Sequence, residues 1–517
     1  MRGVVVCSLL AVSSLARADV VWRALDGDGP GGGAGSAATA PPTEPSDLIS
    51  WAGEPKPITL PELLQLALRQ SPTLQNAKLD IAVAEAQVAE TQVRHDWTIG
   101  AQASYSRTGS TVFSGFQISG TTNYGLTADL TRLLPTGGTL DLHASTQYSD
   151  TEITGFASSP YWSDAITGSI TQPLLRGYGT DLYNAQERKA DLSRDAAVLA
   201  RRLAALQTVQ SVISDYWDLV LAEQQVAITE ASLAVAKERL RVTEVEVRSG
   251  RSAQSEVPAV EQTIATTAES ALTGELAVLD ASLALRRAVG MEVGPGDLGL
   301  RVATDLDSRD TPLDLGKLIE RTFLASPQLA QLAKQDASAG IDIDVNDNGL
   351  LPQLDLALTV GPNGVDGSFG TAAKDTAEFK AYQIGGTLTF SRSLHQYDVR
   401  GRSMELRDSR QKIRVTAVDV RAQLAQAMSH SVATIELAKR RIVLDREAVA
   451  LAKQNVQIET DRFNVGRSTN FDVMLRLEDQ RQAQLREVQA QIDEHKAETM
   501  MLMLTGDLLP MYGITVP

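Results

Sequence analysis

Residues 212–247 constrain everything else in this chain of 517 residues. Every seventh position is apolar, giving Val212, Leu219, Val226, Leu233, Leu240 and Val247, and three places after the middle members stand the small residues Ala222, Thr229, Ala236 and Thr243. A strict seven-residue apolar repeat imposes a left-handed supercoil, and a small row beside a large one lets a partner helix approach closely. The pattern stops at Ser249-Gly250-Arg251-Ser252, after which Val257, Ile264, Ala271, Val278 and Leu285 begin a second row. The spacing predicts a helical hairpin with Gly250 at its tip, where glycine takes a left-handed cap without steric cost. Met428, Ile435, Ile442, Val449, Val456 and Phe463 repeat the first row, and Val465-Gly466-Arg467-Ser468 repeats the tip. The chain holds two copies of one hairpin.

A second landmark is also duplicated. Leu60, Leu63, Leu64, Ala67 and Leu68 make one helix face that breaks at Ser71-Pro72-Thr73-Leu74; Leu315, Leu318, Ile319 and Phe323 echo it, breaking at Ser326-Pro327-Gln328-Leu329. Two landmarks repeated in one order mark an internal duplication. Ser71 and Gly250 are 179 residues apart and Ser326 and Gly466 are 140 apart, so the first copy carries extra chain. The helical registers on either side match, which places the insertion in the intervening strands. There Trp97, Ile99, Ala101, Ala103 and Tyr105 alternate with Thr98, Gly100, Gln102 and Ser104, and Leu354, Leu356, Leu358 and Val360 alternate with Gln353, Asp355, Ala357 and Thr359.

The organisation expected is a first repeat over 58–304 and a second over 305–517. The first holds a helix, strands at 96–107 and 164–172 with an extra hairpin at 122–148, a long helix at 181–249 and a return helix at 254–290. The second holds a helix, strands at 352–360 and 380–391, a long helix at 398–465 and a return helix at 470–505. At about 1.5 Å per residue each long helix is a rod of roughly 100 Å. Strands of roughly 8 to 11 residues with one apolar and one polar face suit a barrel with lipid outside and water inside. A soluble, half-buried sheet has the same alternation. Tyr105, Tyr124, Tyr148, Tyr161, Trp162, Tyr178 and Tyr183 gather around these strands as an interfacial girdle does, and this favours the barrel.

Residues 1–18 read as a secretory signal ending in Ala16-Arg17-Ala18, and residues 19–57, rich in Gly, Pro, Ala and Ser, as a flexible leader. The one cysteine, Cys7, lies in the signal and lacks an acylation box, so the mature chain offers no disulfide or thiol chemistry and no lipid anchor is expected. Outside the signal no apolar run reaches 18 residues, so no transmembrane helix is expected. The net charge of −16 argues against a nucleic-acid partner. Asp344-Val345-Asn346-Asp347-Asn348-Gly349 matches a calcium-loop spacing, but a strand pattern follows where such a loop leads into a helix, and Gly349 reads as a helix cap. His95, His143, His395, His430 and His495 fall in separate elements and make no zinc site. No nucleophile, phosphate-loop or cofactor pattern stands in a convincing context, so neither an enzyme nor a cofactor is expected.

Taken together, these features resemble the TolC-like outer membrane efflux protein family. The resemblance runs from about residue 58 to 507 and is most specific at Asp461-Arg462-Phe463-Asn464-Val465-Gly466-Arg467-Ser468-Thr469-Asn470-Phe471-Asp472-Val473, Gln172-Pro173-Leu174-Leu175-Arg176-Gly177 and Leu350-Leu351-Pro352-Gln353-Leu354. It implies an all-α coiled-coil tunnel in the periplasm joined to a transmembrane β-barrel, built by a homotrimer of two-repeat chains. It implies an exit duct for efflux or one-step (type I) secretion, with a periplasmic adaptor protein, an inner-membrane pump and outer membrane lipid as partners. A non-transporting coiled-coil protein of the periplasm or cell surface is the alternative.

The family's aperture aspartate matches Asp472, with Ser255 and Glu256 in the equivalent place of the first copy. A second family aspartate is Leu475 here. The tyrosine and arginine that tie neighbouring hairpins shut fall on Phe463 and Ser468, so those closing bonds cannot form. The tips, Gly250, Arg251 and Ser252 with Gly466, Arg467 and Ser468, are expected to dock the adaptor, although a cap glycine followed by an N-cap serine explains the same residues without it. Carboxylates converging at the aperture are expected to raise one another's pKa and to attract cations.

Overall fold

The computed structural model describes residues 56–109, 111–113, 116–155, 157–251, 253–292, 300–302 and 313–514. The signal, nearly all of the leader and Ser252 lie outside the described residues. The described chain opens with β1 (Lys56–Ile58), α1 (Leu60–Gln70) and α2 (Pro72–Thr91), then β2 (Thr98–Thr108), the short β3 (Thr111–Phe113), β4 (Phe116–Leu133), β5 (Thr139–Ile153) and β6 (Tyr161–Pro173). One helical turn, α3 (Thr180–Tyr183), precedes the rod α4 (Ala185–Arg248), its return α5 (Glu256–Val289) and β7 (Leu300–Val302). The second half runs α6 (Leu315–Ala325), α7 (Pro327–Asn348), β8 (Gln353–Asp366), α8 (Phe369–Ala377), β9 (Ala381–Ser391), the rod α9 (Tyr397–Asn464), its return α10 (Asn470–Thr505) and α11 (Leu508–Met511).

Four details differ from the sequence reading, each for a physical reason. The last leader residues are ordered, because β1 pairs in parallel with β7, Lys56 opposite Leu300. The first rod starts at Ala185 rather than at 181. Arg94 Nη1 donates to the Tyr183 carbonyl at 2.9 Å, taking the acceptor that a continuous helix would use, and the Tyr183 hydroxyl donates back to the Arg94 carbonyl at 3.0 Å. Strands β4, β5, β6 and β8 have 18, 15, 13 and 14 residues, longer than the 8 to 11 expected, because their antiparallel pairing holds from Leu133↔Thr139 out to Tyr124↔Tyr148 and from Pro173↔Asp355 out to Trp162↔Asp366. Helix α8 was not foreseen; Ser368 caps it by accepting from the Thr371 backbone N–H.

The stretch with calcium-loop spacing is the end of α7, helical through Asn348. Its Asn346 amide donates to the Val399 carbonyl at 3.1 Å, Asn348 Oδ1 accepts from the Gly177 N–H at 2.8 Å, and Asp347 takes Ser403 and Arg407.

The core is centred on α4. Val209, Val212, Ile213 and Leu219 are fully buried and share one cluster with Leu63, Leu64, Leu285, Ile492 and Leu508. Burying each such side chain contributes about 1.5–3 kcal/mol. The most apolar 18-residue window of α4 reaches a mean hydropathy of 1.2, enough by composition to cross a membrane, but α4 is packed by α1, α2, α5, α7 and α10. The small row Ala222, Thr229, Ala236 and Thr243 is buried throughout, whereas Val226, Leu240 and Val247 of the large row are only half-buried. Close approach is tightest at Gly274 of α5, where an added Cβ would stand 2.8 Å from Val226 Cγ2.

The strands form one antiparallel sheet in the order β2-β4-β5-β6-β8-β9, with β3 beside β4. The extra hairpin therefore lies inside the sheet, between the two strands that flank it in sequence. Cross-strand register puts Ala101, Ala128, Ala144 and Ile166 in one row and Tyr105, Tyr124, Tyr148 and Trp162 in another on the same face. The other face carries Gln102, Thr127, Ser145, Asp129 and His143, the last two joined Oδ1 to Nδ1 at 2.5 Å. Neighbouring rings in the aromatic row have centroids 5.1–5.8 Å apart.

Between α7 and α9, Asp336 is clamped by Arg410, through Nε at 3.0 Å and Nη2 at 2.8 Å, and by Arg414 Nε at 3.0 Å. The hydrogen bond from Arg410 is the largest cause that lowers its pKa to about 2. A carboxyl whose pKa is depressed on folding stabilises the fold above its unfolded value and loses that contribution as pH falls through the folded one. Asp336→Asn should therefore destabilise the protein by on the order of 1 kcal/mol at pH 7 and by almost nothing near pH 2, measured by chemical denaturation at both pH values.

Candidate functional site

The two hairpin tips are built alike. At the first, the Gly250 N–H donates to the Val247 carbonyl at 3.0 Å and the Arg251 N–H to the Glu246 carbonyl at 2.9 Å; at the second, Gly466 donates to Phe463 and Arg467 to Arg462, both at 2.9 Å. This paired pattern is a Schellman cap, which needs a left-handed residue at its centre. Both glycines have φ of +73°, with open space where a Cβ would point, so backbone conformation rather than crowding requires them. Arg251 and Arg467 follow directly in the cap and are exposed, and Arg251 Nε donates to Ser249 Oγ at 3.2 Å. Beside the second tip, Val465 and Phe471 are also exposed.

The return helices begin differently. In α10, Thr469 and Asp472 form a capping box: the Asp472 N–H donates to Thr469 Oγ1 at 3.2 Å, while the Thr469 N–H and hydroxyl donate to Asp472 Oδ2 at 3.1 and 2.7 Å. Two orphan helix donors are satisfied reciprocally. The Thr469 hydroxyl bond first, the Thr469 backbone N–H second and Ser468 further down hold the Asp472 pKa below the ordinary carboxylate range. Within one protomer the cap thus moves this group in the direction opposite to that expected from converging carboxylates. In α5, Ser255 stands at the N-cap position with φ −70° and ψ −10° and makes no side-chain cap bond. Glu256 follows in the first turn, and its Oε2 is buried without a hydrogen-bond partner.

A further cluster joins the two hairpins near their tips. Arg239 of α4 lays its guanidinium over the Phe463 ring, 4.4 Å from the centroid, and donates through Nε to Asn470 Oδ1 at 3.0 Å. The Asn470 amide in turn donates to Thr243 Oγ1. Asn470 and Phe463 are both buried, and burial lowers the Arg239 pKa. Desolvated cation–π contacts of this kind are worth about 2 kcal/mol. Phe463 thus has a partner even without a phenolic hydroxyl, while Ser468 Oγ donates to Glu459 of its own hairpin. Arg239 and the contact it makes with Asn470 escaped the sequence reading because nothing in one helix's periodicity says which residue of another hairpin it will meet.

The match to known proteins follows the same elements. Residues 132–291, from the end of β4 to just past α5, match the model of the family described as outer membrane efflux protein. The outer membrane efflux protein BepC of Brucella suis biovar 1 (strain 1330) is 22% identical over 305 residues, covering 58% of this chain and 63% of that protein. Nodulation protein T of Rhizobium leguminosarum bv. trifolii is 20% identical over 321 residues, covering 61% of this chain and 66% of that protein. The matched stretch therefore spans a little under two thirds of either relative. The Campylobacter jejuni CmeC outer membrane channel superposes with a TM-score of 0.65 over 87% of this chain and 86% of that one, at 14% identity. The open-state MtrE outer membrane channel of Neisseria gonorrhoeae gives 0.62 over 87% and 89%, at 15% identity. With this domain match over residues 132–291, these relatives and a fold shared with these channels, the chain is similar to the outer membrane efflux proteins.

Proposed function

We propose that three copies of this chain form the exit duct of a tripartite efflux or type I secretion system, with the helical rods in the periplasm and the sheet in the outer membrane. The observation that carries this reading is a sheet with an exposed apolar face, a polar opposite face and two unpaired edges, attached to two rods of about 100 Å. The edge strands β2 and β9 are exposed along nearly their whole length. Lipid leaves no partner for such edges, so β9 of one copy pairs with β2 of the next until the sheet closes.

Six strands from each of three copies make an eighteen-stranded barrel, and four long helices from each make a twelve-helix tunnel. At about 4.8 Å spacing and 40° tilt the strands span roughly 110 Å of circumference. Twelve helices about 9–10 Å apart span a similar length, so the lumen continues from tunnel to barrel without a neck. The narrowest point is then the ring of tips. The tips also serve as the adaptor-docking rim, where exposed Arg251 and Arg467 stand with the apolar Val465 and Phe471. Asp472 and Glu256, with Ser255, line the aperture from the return helices.

Four experiments test this reading. The protein should resist extraction from membranes by carbonate and, in planar bilayers, form cation-selective pores blocked by divalent cations from the periplasmic side. Because the Asp472 pKa is depressed, its charge and the block should persist as pH falls through the ordinary carboxylate range, and Asp472→Ala should weaken the block severalfold. Anion selectivity, or an unchanged block, would remove Asp472 from the aperture. Replacing Arg239 by Ala should loosen the contact between hairpins and raise conductance severalfold with trimers intact; unaltered conductance would leave that cluster a packing feature only. Charge reversal by Arg251→Glu with Arg467→Glu should abolish export in cells while membrane trimers remain, and normal export would end the docking assignment.

A further inference from the structure

Helix α8 lies against the apolar face of the sheet, over β6 and β8, with Ala372 buried beneath it. The Phe369 ring stands 5.3 Å from that of Trp162, extending the aromatic row. Thr376 Oγ1 pins the helix by donating to the Asp164 carbonyl at 3.2 Å. Between the helix and strands β4 to β6 is a cavity of about 280 Å³, lined by Leu126, Ala128, Ala144, Ile166, Phe369 and Ala373. Its wall contains one charged residue, Asp164, which is only 6% exposed.

Both carboxyl oxygens of Asp164 are buried without a hydrogen-bond partner, and so is Oγ1 of Thr146, which also lines the cavity and sits directly across the strands from Asp164. A charge taken out of water is tolerated when it is paired, and a buried polar group when it is hydrogen-bonded. Three unpartnered oxygens on neighbouring strands, set in a wall that is mostly apolar, call for a group with several N–H donors, no acceptor and an aliphatic attachment. A primary ammonium has three donors and no acceptor.

We infer that this cavity binds an amphiphile bearing a primary ammonium on an alkyl or acyl chain. The ammonium bonds Asp164 and Thr146 while the chain lies against the alanines, Leu126 and Ile166. Under the duct reading, on which the placement rests, this face meets lipid at the end of the barrel remote from the rods. The ligand is then a membrane lipid ending in a primary ammonium or a free amphiphilic amine.

The test uses the full-length protein purified in a neutral detergent. Calorimetry with dodecylamine, charged at neutral pH, should find one site per protomer at least tenfold tighter than for dodecanol. Asp164→Asn should weaken the amine at least tenfold and leave the alcohol unchanged. Ala373→Leu, which fills the cavity but keeps the carboxyl, should lose the amine as well, and decides the matter if the Asn variant does not fold. Native mass spectrometry with dioleoylphosphatidylethanolamine and its choline counterpart separates the sources: retention of the ethanolamine lipid alone assigns the site to lipid, and retention of neither, with dodecylamine bound, assigns it to free amines. Equal binding of amine and alcohol, undiminished binding by both variants, or no amine binding overturns the site. Amine binding by a protein that forms no pore would leave the site standing and remove the duct reading instead.

Discussion

The structure depends on how closely its rods can approach. In α4 the residues that disappear from solvent along the whole seam are the small ones, Ala222, Thr229, Ala236 and Thr243, and α5 answers with Gly274 against Val226. Removing side-chain bulk from the contact lets backbones meet, so dispersion contacts accumulate along the full length of the rods. The larger heptad row is covered at Val212, Leu219 and Leu233 but left half-covered at Val226, Leu240 and Val247, as a surface awaiting further helices would be. One helix thus carries two packing surfaces of different depth, and the difference between them is written in side-chain volume.

The sheet is unfinished in a similar way. Its pairing runs through six strands, with a register shift between Ile118 and Gly120 of β4, yet it has two open edges and an apolar face that water does not favour. Rods and sheet are therefore both incomplete as single chains, and the trimer proposed above would satisfy both.

Much of this was legible in the sequence because it is periodic. The heptad rows, the tip glycines and the alternation from Trp97 to Tyr105 are local patterns, and local patterns survive without knowledge of partners. What escaped is what depends on a distant neighbour. The break before α4 comes from Arg94 capturing the Tyr183 carbonyl, 89 residues away. The cluster of Arg239, Phe463 and Asn470 crosses between hairpins, and nothing in either helix announces the other. Helix α8 has a serviceable signal in Ser368 before an alanine-rich stretch, but it is only 9 residues long and lies between two stronger strand patterns. At the start of α10, the position of Asp472 was readable, and its role as a capping-box carboxylate required the backbone.

The two return helices share a fold and a tip but differ in how their first turns are held. Asp472 and Thr469 lock the start of α10, whereas α5 starts with no side-chain cap at Ser255 and with an unsatisfied Glu256 oxygen. An uncapped first turn opens at lower cost than a capped one, so the two starts belong to different levels of local stability. In the trimer proposed above, a ring of six tips would be a mouth of alternating stiff and yielding teeth, with three-fold rather than six-fold mechanics. Such a mouth can widen by fraying every second element while the others keep its outline.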